Sequence, residues 1–275
     1  MNGALRALLA ERIDYAGLFP PAALPMADAV ANFASYRESA DAWALARFVL
    51  PVVRIEEFAA VAAPRLRGAP WRLSVLAQLT DTDAIRAFNG RMAGRAHIDT
   101  VESRAGTVDD VAALAPLASL ATTYVELAIG EDPEPLIAAV AAPGLRAKLR
   151  TGGVTAESFP GAREVARFLL ACVQHRVMLK ATAGLHHPLR GEYALTYDAH
   201  AARGTMFGFL NVFLAASFAR QGMDAGTLEA LLEERDPGAF HMDDDHVTWR
   251  GHVLAATALA NDRDRFAVSF GSCSF

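Results

Sequence analysis

Short apolar or β-branched runs alternate along this chain with longer stretches whose apolar positions recur at helical spacing. The pattern predicts strands at Ile13–Phe19, Arg47–Arg54, Arg72–Leu79, His97–Ser103, Thr123–Ile129, Ala147–Thr151, Val177–Thr182 and Phe266–Phe270. It predicts helices most clearly at Ala27–Ala46, Glu56–Leu66, Asp81–Ala93, Val108–Leu117, Glu134–Val140 and Ala162–His175. Capping residues open several of these, as in Thr80-Asp-Thr-Asp83 and Thr107-Val-Asp-Asp110. Gly94 and Pro143-Gly144 close others. Strand–helix alternation implies βα units and a parallel sheet. Eight such strands in 275 residues predict one α/β domain over 1–275, a closed (β/α)8 barrel of TIM type. An open doubly wound sheet is the alternative, weakened because no Gly-x-Gly-x-x-Gly follows the first strand.

The pattern departs from a plain barrel near its end. The interval from Gly184 to Asp264 is longer than one unit needs. Helices are predicted there at Met206–Arg220, Thr227–Glu234 and His246–Asn261, with the polar Asp236–Asp245 as a loop. Residues 190–262 therefore read as helix seven plus a helical insertion between strands seven and eight. No eighth helix is expected after strand eight, so Ala4–Arg12 or a second subunit would have to cover it.

Composition narrows the function classes. With 53% hydrophobic and 21% charged residues, the chain can bury a large core and is not disordered. A net charge of −5 with no basic cluster argues against nucleic-acid binding. The apolar runs are broken by Arg, Asp or Pro, which argues against a membrane span. Cys172 and Cys273 show neither metal-ligand spacing nor a disulfide framework, which favours a reducing compartment, the cytoplasm. Nothing in the sequence calls for a cofactor or a metal. A homo-oligomer is left open.

Two strand lysines are the main candidates for chemistry. Lys148 and Lys180 sit on consecutive predicted strands, and in a barrel the active site lies at the strands' C-terminal ends. Alternation places Lys148 with Arg150, and Lys180 with Thr182, on inward faces. Desolvation and a neighbouring cation lower a lysine pKa, and a neutral amine is a nucleophile. The pair therefore points to Schiff-base chemistry, with Asp99 or Glu126 as the proton shuttle. Asp99 and Glu102 fall on opposite faces if strand four is regular, and strand one carries Asp14.

Anion-binding candidates surround the lysines. Thr151-Gly152-Gly153 follows strand six, and Gly271-Ser272-Cys273-Ser274 ends strand eight. Arg54, Arg150, Thr182, Gly184, His186, His187 and Arg190 complete the set for a small anionic metabolite. Adjacent histidines do not both face one point, so His186-His187 does not make a metal site. The His241–His246 cluster reads as a solvated loop. Two other readings stay open: a barrel transferase or lyase that clamps phosphate or carboxylate with charged Lys and Arg, and a non-catalytic metabolite-binding or assembly subunit.

Four motifs together carry a family resemblance. Lys148-Leu-Arg-Thr151-Gly152, Lys180-Ala-Thr-Ala-Gly184, Ile98-Asp99-Thr-Val101 and Phe270-Gly-Ser-Cys-Ser274 occur in the order found in deoxyribose-phosphate aldolases. The chain resembles that family of class I aldolases over about twenty residues. The resemblance implies a (β/α)8 barrel, Lys148 as the Schiff-base nucleophile and Lys180 as the neighbour that lowers its pKa. It further implies Asp99 in proton transfer and a phosphate loop at Gly271–Ser274. The chain differs from the family at Ala183-Gly184-Leu-His-His, at Arg150 and in the long insertion, and these differences bear on the substrate.

Overall fold

The structure, a computed structural model, describes residues 2–129 and 132–275. A short helix, α1 (Gly3–Leu9), leads into strand β1 (Ile13–Tyr15). Six βα steps follow: α2 (Met26–Arg37), β2 (Leu45–Pro51), α3 (Ile55–Ala62), β3 (Trp71–Leu76), α4 (Thr82–Arg91), β4 (Ala96–Ala105), α5 (Val108–Ala113), β5 (Thr122–Leu127), α6 (Glu134–Ala141), β6 (Arg146–Arg150), α7 (Ala162–Gln174) and β7 (Leu179–Thr182). Next comes an antiparallel hairpin, β8 (Gly191–Ala194) and β9 (Arg203–Met206), then helices α8 (Phe209–Arg220) and α9 (Ala225–Glu233). An antiparallel sheet of β10 (Phe240–Met242), β11 (His246–Trp249) and β12 (His252–Ala255) precedes α10 (Ala256–Arg265) and β13 (Ala267–Ser272). Strands β1 to β7 and β13 pair in parallel and close the predicted eight-stranded barrel, with β13 between β7 and β1.

The helices bury apolar stripes against the outside of this barrel. In α7 the buried Val165, Phe168, Leu169 and Cys172 follow the i, i+3, i+4, i+7 spacing of one helix face. Phe33 of α2 packs its ring 5.4 Å from Phe48 of β2 and 4.9 Å from Trp71 of β3, with Phe58 of α3 5.3 Å from Phe48. Large aromatic side chains carry much of the apolar area removed from water here.

Several sequence expectations are corrected. The helix expected over 27–46 ends at Arg37, because the Ser39 hydroxyl donates to the Tyr36 carbonyl and accepts from the Asp41 amide, which breaks the turn. The helix expected at 246–261 is a β-hairpin followed by α10. Arg250 and Gly251 both have positive φ (45° and 86°), the conformation of a tight hairpin turn, and Val247 and Trp249 alternate inward. The expected loop at 236–245 contains β10. The segment between β7 and β13 is thus mixed α and β rather than helical. Cover for β13 comes from α8 and α10, with Phe270 stacked 5.6 Å from Phe209 and tilted against Phe213 at 5.3 Å; α1 packs on α10. Among the described residues no helix is long and apolar enough to cross a membrane.

Candidate active site

The barrel interior holds a chain of buried ion pairs. In register, Glu126 of β5 faces Lys148 of β6, and Lys148 faces Lys180 of β7. A bulge in β4 brings in a further acid: Leu73 pairs with Ile98 but Ser74 pairs with Thr100, so Asp99 is the extra residue. Beyond the bulge Glu102 points inward and bonds both lysines, Lys148 at 2.7 Å and Lys180 at 2.6 Å. Glu126 reaches Lys148 at 2.9 Å, and Asp14 of β1 reaches Lys180 at 2.7 Å. The Ser74 hydroxyl donates to Glu102 at 2.6 Å and the Ser269 hydroxyl to Asp14 at 2.9 Å.

Burial makes this pairing obligatory. Asp14, Glu102, Lys148 and Lys180 are 0%, 4%, 4% and 1% exposed, and an unpaired charge at such depth would be prohibitively costly. Burial alone would push the Lys180 pKa down, but Asp14 and Glu102 outweigh it and raise the pKa, keeping the ammonium. Burial likewise opposes the charge on Glu102, yet the two lysines hold its carboxyl well below the usual range. Glu126 is also lowered, with Lys148 and Arg150 outweighing its burial. At Lys180 the two carboxylates thus outweigh both its burial and the neighbouring cation.

A cavity of about 320 Å³ lies over these groups at the C-terminal mouth. Lys148, Lys180, Glu102, Thr182, His186 and Cys273 are among its lining residues, as are Arg150, Gly153 and Gly271. A wider groove of about 830 Å³ adjoins it, sharing Arg150 and Ser158 and reaching Glu126 and Arg104. Arg150 donates to Glu126 at 2.9 Å and to the Gly152 carbonyl at 3.3 Å, so it is anchored to the lysine network. Burial, with His187 beside it, lowers the His186 pKa to about 4, so its imidazole is neutral near pH 7.

Other expected site residues lie elsewhere or do other work. Asp99 is near the N-terminal end of β4, where it accepts from Arg47 at 2.6 Å and from Arg72 at 2.9 Å; these arginines outweigh its burial and hold its pKa low. It makes no bond to either lysine. Arg54 pairs with Glu57 at 2.7 Å on the surface. His187 stacks on Tyr193 with ring centroids 3.5 Å apart, and Arg190 lies over the Phe207 ring at 4.5 Å. Neither residue lines the cavity. The Thr151 hydroxyl donates to the Ala183 carbonyl at 2.5 Å, tying β6 to β7. A side chain at Gly152 would collide with the Phe159 ring, and one at Gly153 would come within 2.7 Å of Ser158. Gly184 has φ +78° and faces the same ring. These glycines allow close packing, and Gly153 also lines the cavity. Ser272 is buried, its hydroxyl accepting from the Ser274 amide at 3.4 Å, and Ser274 is exposed.

Sequence reasoning did not assign Asp14, Glu102 or Cys273 to the site. The first two are acids in strands already predicted, and placing them needed the β4 bulge and the β1–β13 closure. Cys273 lies inside the predicted Gly-Ser loop, with its Sγ 3.6 Å from His186 Nδ1 and 3.4 Å from Tyr197 Oη.

No protein-family model and no curated protein sequence matches the chain. Among solved structures, it is similar to a lysine/ornithine decarboxylase complexed with cadaverine from Vibrio vulnificus, at 13% identity and a TM-score of 0.38. The match covers 66% of this chain and 48% of that one, so it spans about half of the decarboxylase.

Proposed function

We propose that this barrel is a lyase of the class I aldolase type, acting on a small carbonyl compound, with an anionic group, through a Schiff base on Lys148. The observation that carries the reading is the carboxylate environment of Lys148 beneath the cavity. Its Nζ lies between Glu102 at 2.7 Å and Glu126 at 2.9 Å, and it lines a space of about 320 Å³. A protonated imine is a cation at the same place as the ammonium it replaces. The two carboxylates that hold the ammonium therefore also stabilise the imine, without any rearrangement. Lys180 is the less suitable nucleophile: its second carboxylate, Asp14, is fully buried, whereas that of Lys148, Glu126, is shared with Arg104 and Arg150 at the mouth. It serves instead as a fixed positive charge that orients Glu102.

The steps balance within this set. The Lys148 ammonium gives a proton to Glu126, and the free amine attacks the carbonyl carbon. The carbinolamine takes the proton back on its hydroxyl and loses water, leaving the protonated imine. The imine then accepts the electron pair of the neighbouring C–C bond as the β-hydroxyl gives its proton to a carboxylate. Protonation of the resulting enamine and hydrolysis release the second product. The clamp alternative has less support, because Lys148, Lys180 and Arg150 are already bonded to carboxylates.

Borohydride trapping tests the reading. The protein is incubated with aldehydes, ketoacids and sugar phosphates, reduced, and mapped by peptide mass spectrometry. The expected result is a stable adduct on Lys148 that Lys148→Ala abolishes. An adduct on Lys180 alone would exchange the lysine roles. The absence of any adduct above surface lysines would sink the Schiff base.

A further inference from the structure

The other end of the barrel carries a second charged cavity. Its volume is about 350 Å³, and it opens at the N-terminal mouth, where β3 and β6 begin and α10 returns the chain to β13. Four arginines line it: Arg47, Arg72, Arg146 and Arg263. Arg47 is fixed by two bonds to Asp99, at 2.6 and 3.0 Å. Arg72 shares Asp99 at 2.9 Å and reaches Glu11 at 3.1 Å, and Arg263 pairs with Asp264 at 2.8 Å. The Glu11 and Asp264 side chains are 70% and 60% exposed, so these two pairs are weak and easily exchanged. Arg146 has no carboxylate partner among the described residues. Its Nη1 donates to the Tyr124 hydroxyl at 3.0 Å, and its guanidinium lies 5.6 Å from the centre of that ring.

Charge is therefore left over at this mouth. Four guanidinium groups face Asp99, Glu11 and Asp264; Asp14, deeper in the barrel, bonds Lys180 at 2.7 Å and also stands 3.8 Å from Arg47, so the charge left over is that of Arg146. Guanidinium forks match the oxygen spacing of phosphate, and Tyr124, which lines the same cavity, can donate its own O–H. We propose that the N-terminal mouth binds a dianion, phosphate or a phosphate monoester, held by Arg146, Arg72 and Arg263. An incoming dianion displaces the exposed Glu11 and Asp264 carboxylates and leaves the Arg47–Asp99 pair intact. The site does not depend on the Schiff-base reading, which concerns the opposite mouth.

Calorimetric titration with inorganic phosphate, against sodium chloride at matched ionic strength, tests this. Matching matters because surface pairs respond to salt as such. The wild-type protein is expected to bind phosphate saturably, and Arg146→Gln and Arg72→Gln are each expected to weaken binding by about tenfold or more. Arg150→Gln alters only the C-terminal mouth, so the binding that Arg146→Gln and Arg72→Gln weaken is expected to persist in it. Pairing the two arginine variants keeps the test usable if one folds poorly. No saturable binding beyond the salt control would overturn the proposal. So would binding that survives both Arg146→Gln and Arg72→Gln, or binding lost only in Arg150→Gln.

Discussion

Lys148 and Lys180 bond to opposite oxygens of a single buried carboxylate, that of Glu102, at 2.7 and 2.6 Å. Each lysine has one further acid, Glu126 or Asp14, so Glu102 is the bridge between two otherwise separate pairs. Removing its charge leaves two ammonium ions facing each other in the barrel. Glu102→Gln is expected to cost about 3–5 kcal/mol of stability, the range for breaking a buried ion pair from one side. In the double variant with Lys180→Met the loss should be smaller than the sum of the two single losses, because both substitutions remove the same Glu102–Lys180 bond. Urea midpoints of the two single variants and the double variant measure the coupling. Strict additivity would mean that the network does not act as a unit.

The same network sets the response of stability to pH. Glu102, Glu126 and Asp99 are all held below their ordinary values in the folded state. Such groups stabilise above their unfolded pKa values, about 4, and the contribution is lost as pH falls through the folded values. Lys180 is raised, so its contribution is complete below about 10.4 and is lost as pH rises through its folded value. His186 adds a second acid-side term. Its pKa is depressed to about 4, so the unfolded chain binds more protons below about 6.5 and stability declines from there downwards. Urea unfolding across this range is expected to show a gentle decline below pH 6.5, then a steep loss below about 4. A His186→Gln variant should lose much of the gentle part and keep the steep part; what remains of the gentle part comes from His187, whose pKa burial also lowers.

The barrel was legible because its signal is repetitive: eight apolar strands separated by capped helices survive errors of several residues at each boundary. Lys148, Lys180 and Glu126 were legible for a related reason, since alternation within a short regular strand fixes which side chains face inward. Asp99 was misplaced by one local irregularity. The bulge at that residue resets the alternation in β4, so Glu102 rather than Asp99 meets the lysines. Nothing in His97-Ile-Asp-Thr-Val-Glu102 marks a bulge, because the extra residue is stabilised by Arg47 and Arg72, which belong to other strands. The 246–261 error has the opposite origin. The second half of that stretch is helical from Ala256, while the Arg250-Gly251 turn, with positive φ at both residues, folds the preceding half back as a hairpin.

Gly184 joins the loop after β7 to the loop after β6. Its φ is +78°, and a Cβ there would stand 2.9 Å from the Phe159 ring and 3.2 Å from the Gly152 Cα. Gly184→Ala is expected to destabilise the protein by about 1–3 kcal/mol, the range for a non-glycine residue held in a strained backbone region. Phe159→Leu should relieve the contact but not the backbone strain, so the double variant should recover only part of the loss. Full recovery in thermal denaturation would assign the whole cost to the ring.

The two cysteines offer a chemical reading of the cavity. Cys172 is fully buried in α7, and burial raises its thiol pKa; Cys273 is also raised by burial but lines the cavity beside His186. Thiolate is the reactive form, so both thiols should be slow toward iodoacetamide near pH 7, with reactivity rising above the ordinary thiol range of about 8.5. At equal pH Cys273 should react first, because small reagents can enter the cavity, whereas Cys172 is reached only on unfolding. A carbonyl compound reduced onto Lys148 would then fill the same space and protect Cys273 while leaving Cys172 unchanged. Peptide mapping of alkylated protein, with and without prior borohydride trapping, makes the comparison. Protection of Cys273 would place the trapped compound in the cavity above Glu102. An adduct on Lys148 that leaves Cys273 equally reactive would show that the substrate leaves the cavity by another route, towards the groove lined by Arg104 and Glu126.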